Sequence, residues 1–112
     1  MGKGDMGMNP LHEISDVIEN MKFKPSDIRI YSLLLEKGEM RVSEIARELG
    51  LSVRFVRDRL KVLVKRGIVK KELIERGWVG YIYKAEKPVK VLEKIKSGLI
   101  LEFERIEKSL TD

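Results

Sequence analysis

The chain has 112 residues, the length of one typical domain with room for an oligomerisation element, and it carries 37% charged residues and a net charge of +5 at pH 7. It has no cysteine, no run near the ~18 apolar residues of a membrane span and no apolar core in the opening MGKGDMGMN, so disulfide chemistry, a membrane anchor and secretion are not expected. The high charge content, the absence of Gln and the presence of only two Asn suit a thermophile, and the expected location is the cytoplasm.

Residues 1–9, rich in Gly and Met, read as a flexible tail. Leu11, Ile14, Ile18 and Met21 recur at helical intervals and predict a short amphipathic helix over 10–21. Pro25 suits the first position of a second helix and Asp27 its electropositive first turn, while Ile28, Tyr31, Leu34 and Leu35 supply an apolar face ending at Gly38. After a short extended piece at Met40-Arg41, Val42, Ile45, Ala46 and Leu49 fall on one side of a third helix. Gly50 ends it, because the residue past a helix terminus often turns left-handed at little cost to glycine, and Ser52 is placed to cap the next helix.

In that next helix, 53–66, Val53, Val56, Leu60, Leu63 and Val64 form an apolar stripe with Arg54, Asp58, Lys61 and Lys65 opposite. Gly67 closes it. Residues 68–74 and 81–83 read as two strands around Glu75-Arg76-Gly77-Trp78-Val79-Gly80, a hairpin that after a helix-turn-helix is a wing. Pro88 opens a last helix in which Leu92, Ile95, Leu99, Phe103, Ile106 and Leu110 recur every third or fourth residue. So long a terminal stripe has little core left to cover and is expected to pair with the same helix of a second copy.

Residues 52–66 hold Arg54, Arg57, Arg59, Lys61, Lys65 and Arg66 against one acid, Asp58, a local surplus equal to the net charge of the whole chain. A helix, a glycine turn and a strongly cationic helix suit a polyanion, whose phosphates must be neutralised where protein enters a groove. The expected fold is therefore mainly α with a small β-hairpin wing (α+β). It comprises a winged helix-turn-helix DNA-binding domain over 10–86, including an N-terminal helix, and a long C-terminal dimerisation helix over 87–112. No enzyme, metal site or cofactor is expected, since no His, Cys or carboxylate cluster has metal-ligand spacing and no nucleophile stands with a base. His12 is alone, and the acid pairs Glu13 with Asp16 and Glu104 with Glu107 read as solubilising surface charge.

The segments Asp27-Ile28-Arg29-Ile30-Tyr31-Ser32-Leu33-Leu34 with Gly38, Val42-Ser43-Glu44-Ile45-Ala46, Leu60-Lys61-Val62-Leu63-Val64-Lys65-Arg66-Gly67-Ile68-Val69 and Tyr83-Lys84-Ala85-Glu86-Lys87-Pro88 resemble the archaeal TrmB-like winged-helix transcriptional regulators. More distantly they resemble the MarR group. Full-length sugar-responsive members of the family continue into a large effector domain, so sugar sensing is not expected of these residues.

The resemblance implies that helix 53–66 enters the major groove, where each base pair shows its own donor and acceptor pattern. Arg54 and Arg57 are then candidates for guanine or phosphate contacts, Asp58 for accepting from cytosine N4 or orienting Arg54, and Lys61 and Lys65 for phosphate. Ser43 and Ser52 add backbone phosphate bonds, and the wing carries Arg76 to the minor groove with Lys70 and Lys71 near its base. Trp78 either stacks on a sugar or phosphate or packs on a partner or the first helix.

About four neutralised phosphates per subunit would give a log–log salt slope on the order of −7 for a dimer. The expected partners are double-stranded DNA and a second copy of the chain; no polar constellation identifies a small-molecule effector. Two other readings compete: an architectural nucleoid protein with little sequence preference, and a winged-helix protein-interaction module of the transcription machinery. Asp58 argues against the first and the concentrated positive charge against the second.

Overall fold

The computed structural model describes residues 9–111, and all but Asn9 of the expected tail lies outside them. Five helices and a two-stranded antiparallel hairpin follow one another: α1 Pro10–Met21, α2 Pro25–Lys37, α3 Val42–Leu49, α4 Val53–Lys65, β1 Val69–Glu75, β2 Val79–Ala85 and α5 Pro88–Leu110. This is the mainly helical, winged arrangement that the periodicities imply. None of the described helices is long and apolar enough to cross a membrane.

Phe23–Val91 forms one compact unit. Its core is built from α2, α3, α4 and the base of the hairpin, with Ile30, Leu34, Ile45, Val56, Leu60 and Leu63 almost wholly buried. In α2 the buried side differs from the expected one. Ile30, Leu33 and Leu34 face inward, whereas Ile28 and Leu35 are 59% and 49% exposed. Apolar residues nearly encircle α2, so their spacing does not define its phase. Buried Asp27 lies on the inward side with Ile30 and Leu34, and its ionic partner on α4 sets the rotation.

The turn between α3 and α4 is built as its residues dictate. Gly50 adopts φ 67°, ψ 34°, and Leu51 N–H reaches back to the Ala46 carbonyl at 2.9 Å, which satisfies the end of α3. Ser52 Oγ accepts the Phe55 N–H at 3.1 Å and starts α4. At the other end of α3, Glu44 accepts the Arg41 N–H at 2.8 Å. The extended piece at Met40 exchanges two backbone hydrogen bonds with Tyr83 and ties α3 to the wing.

The strands of the wing run further toward the tip than expected. Glu75 pairs with Val79 and Ile74 with Gly80, leaving a loop of Arg76, Gly77 and Trp78 in place of a six-residue one. Gly77, at φ 75°, supplies the left-handed residue that so short a hairpin loop requires.

The described residues on either side of Phe23–Val91 make a second compact unit, α1 with α5 from Leu92 onward. Asn9 Oδ1 caps α1 by accepting from Leu11 N–H at 3.0 Å. Val17 of α1 and Ile106 of α5 are the buried apolar residues here, at 4% and 5% exposure. Gly98 lies against Met21, so the absence of a side chain in mid-helix lets α1 come close.

Candidate nucleic-acid interface

Helix α4 separates its two faces. Val56, Leu60 and Leu63 are buried, Val53 at the start is partly exposed, and Arg54, Arg57, Asp58, Lys61 and Lys65 all stand in solvent. Of the six cations that the sequence places on this segment, two are engaged elsewhere. Arg59 makes a two-armed ion pair with Asp27, both contacts at 2.8 Å, and its side chain is only 16% exposed. Arg66 lies with its guanidinium 4.0 Å from the Phe23 ring centroid. Burial pushes the Arg66 guanidinium pKa down and the Asp27 charge pulls it up, with a net lowering. The outward cationic face is thus Arg54, Arg57, Lys61 and Lys65.

Asp58 makes no ion pair with Arg54 or Lys61 among the described residues, so the folded chain does not neutralise it. Ser43 is exposed in the first turn of α3, and the Ser52 hydroxyl, although its oxygen caps α4, keeps its own proton to donate.

The strand register divides the wing into two faces. One face carries Lys71 and Leu73, opposite Tyr83 and Tyr81, and continues into α4. Lys71 and Tyr83 line a groove with Lys61, Val64 and Lys65, and Lys71 Nζ sits 4.1 Å from the centroid of the Tyr81 ring. Burial pushes the Tyr83 phenol up, Arg57 pulls it down and Tyr81 adds to the rise, so Tyr83 stays protonated near neutrality.

The other face is occupied by internal pairings. Lys70 reaches Glu86 at 3.8 Å, and Lys84 bridges Glu72 and Glu39 at 3.3 and 3.6 Å. Lys70 and Lys71, adjacent in sequence, therefore point to opposite sides of the hairpin. Arg76 is exposed at the tip.

Within the single chain Trp78 lies back on its own hairpin. Its ring lies where a Gly80 side chain would stand, on the face away from Tyr81, and the Arg41 guanidinium covers it at 4.8 Å. Tyr81, Leu73 and Arg41 were not expected as parts of this region; for the first two, the alternation of Lys71 with Leu73 and of Tyr81 with Tyr83 marks a shared face. Gly80→Ala should force the ring off the hairpin, since the added Cβ would occupy the ring's place. Because Trp78 is the only tryptophan, its emission should move to the red and become more quenchable by acrylamide. An unchanged spectrum would mean that the ring does not rest there.

In Leu92, Phe103 and Leu110 of the expected dimer seam, exposure is 67%, 44% and 42%; Ile95 and Leu99 are half-buried, and Ile106 is covered within the single chain.

A family model described as sugar-specific transcriptional regulator TrmB matches residues 18–89, a span that takes in α2, α3, α4 and the wing. The chain belongs to the TrmB family. This is a family of transcriptional regulators, not of enzymes. A possible transcriptional regulator from Methanosarcina mazei Go1 aligns with a TM-score of 0.68 at 20% identity, over 87% of this TrmB-family chain and 85% of that one. A protein from the thermoacidophilic archaeon Sulfolobus tokodaii gives 0.59 at 23% identity, over 89% and 96%. A MarR-like transcriptional regulator from Thermotoga maritima gives 0.55 at 20%, over 92% and 81%. At such identities these likenesses establish the fold that TrmB-type and MarR-type regulators share. Comparison with curated proteins finds no match.

Proposed function

We propose that this regulator is a cytoplasmic homodimer that binds double-stranded DNA sequence-specifically, with α4 in the major groove and the wing along the minor groove. The observation that carries the reading is the outward face of α4. Its four exposed cations flank an exposed carboxylate, with one buried ion pair fixing the helix from behind. Cations alone give affinity without information, whereas Asp58 repels phosphate and is useful only where a base donor meets it, so the architectural reading is disfavoured. Residues 10–86 are the DNA-binding domain, with Ser43, Ser52, Lys61, Lys65 and Lys71 on phosphates, Arg54, Arg57 and Asp58 on bases, and Arg76 at the minor groove. The exposure of Leu92, Phe103 and Leu110 supports residues 87–112 as the dimerisation element, joining two recognition helices about 34 Å apart. Lys70, held by Glu86, contributes to the field near the wing base and not to a direct contact.

Selection from a random duplex pool, followed by titration of the recovered and scrambled sites across a salt series, tests this. A two-fold symmetric motif bound at least ~10³-fold more tightly than scramble is expected. Equal affinity for both would make the protein architectural, and no binding at low salt would remove DNA as its partner.

A further inference from the structure

Three large apolar side chains stand together on one face of a short hairpin: Leu73, Tyr81 and Val79, at 51%, 47% and 75% exposure. Leu73 is directly opposite Tyr81, and Val79 is two residues along the same strand, so cross-strand neighbours make a continuous plate. It is the face that continues into the groove between α4 and the wing, and Trp78, folded to the far side, has no part in it. Its border toward α4 is cationic, with Lys71 on the Tyr81 ring and Lys61 and Lys65 across the groove, while exposed Glu75 stands opposite Val79 at the tip end of the same face.

We propose that this plate is a DNA-contact site that seats on the deoxyribose edges of the duplex while Lys71 takes a flanking phosphate. The proposal rests on the DNA-binding reading above. A sugar–phosphate strand alternates an apolar ring with an anion, and an apolar plate with lysines along its α4 side complements both when the strand runs along that side, whereas a protein partner of matching shape would have to bring its own acids to every lysine. The wing then grips through contacts that release no counterions as well as through Arg76 and Lys71, which do.

The two kinds of contact separate in a salt series. On the site recovered by selection, or on a random-sequence 30-base-pair duplex if none is recovered, the double variant Leu73→Ser/Tyr81→Ser should bind about tenfold more weakly with an unchanged slope of log K against log salt. Lys71→Ala should lower the slope by about 0.9 per subunit. Leu73→Met/Tyr81→Phe, which keeps the plate apolar, should bind as the wild type does. Hydroxyl-radical cleavage of the bound duplex, which reports exposed deoxyribose hydrogens, should show sugars protected by the wild type and released by the serine variant. All three side chains are exposed, so circular dichroism and melting should not move.

Binding by the serine variant within twofold of the wild type, with Lys71→Ala still weakening it, overturns the plate and leaves the DNA reading standing. A wild-type protein that binds no duplex at 50 mM salt overturns both. Concentration-dependent sedimentation lost in the serine variant, without the sugar footprint, assigns the plate to a second copy of the chain and overturns the proposal.

Discussion

Asp27→Ala should destabilise the winged-helix unit by about 3–5 kcal/mol, a large part of the ~5–15 kcal/mol that typically holds a domain folded. Asp27 is 1% exposed, receives both arms of Arg59 at 2.8 Å and accepts the Lys24 N–H at 2.9 Å. Removing the carboxylate leaves a mostly buried guanidinium with no counter-charge. The pair itself adds little beyond what well-packed apolar groups would give, so Asp27→Leu/Arg59→Met should recover most of the loss. Urea unfolding of the three proteins at pH 7 checks this; a single-variant loss below ~1 kcal/mol would show that the pair is not the clamp between α2 and α4.

The acid limb of stability follows from the same contact. Burial raises the Asp27 pKa, but the Arg59 hydrogen bonds, the Lys24 N–H and the positive charges outweigh it, and the net shift is downward. A lowered folded-state value means that this contribution is complete above the unfolded carboxylate pKa of ~3.9 and is lost as pH falls through the folded value. The wild type should therefore lose stability steeply below pH ~4, and the Leu/Met variant should lack that part of the decline.

The elements of this fold were legible because helix and strand periods, Pro25 and Pro88 at helix starts, and Gly50 and Gly67 at helix ends all agree. What was hidden is long-range. Arg59 looks like any other cation on a basic helix until Asp27, thirty-two residues earlier, is seen beneath it. The same holds for α2, whose apolar residues leave its rotation undefined, and for Trp78, whose place is set by a missing side chain at Gly80 and by Arg41 from another element. Within the candidate interface, the α4 face could be read from a single helical period. The division of Lys70 from Lys71 needed the strand register, and the loop is shorter than expected because Gly77 and Gly80, which bracket Val79, read as turn residues although Val79 and Gly80 are paired.

Arg54→Ala and Arg57→Ala should each weaken binding to the selected site by about 1–3 kcal/mol, roughly 5- to 150-fold, if these side chains read guanine edges. Both lie in the first half of α4 on its exposed face, where a recognition helix presents its N-terminal residues to bases, and neither is held by an ion pair among the described residues. A base contact and a phosphate contact differ in what they do to scrambled DNA. Loss of a guanine contact falls mainly on the selected site, whereas Lys65→Ala should weaken selected and scrambled duplexes alike and reduce the salt slope by about 0.9 per subunit. Asp58→Ala has the opposite sign on scrambled DNA. Removing an unpaired carboxylate from the reading face lifts a repulsion, so non-specific affinity should rise while discrimination at one base position relaxes. Titrations of all four variants on both duplexes decide the assignment: if Arg54→Ala and Arg57→Ala weaken both duplexes equally, those arginines hold phosphates and base reading must come from elsewhere on α4 or the wing.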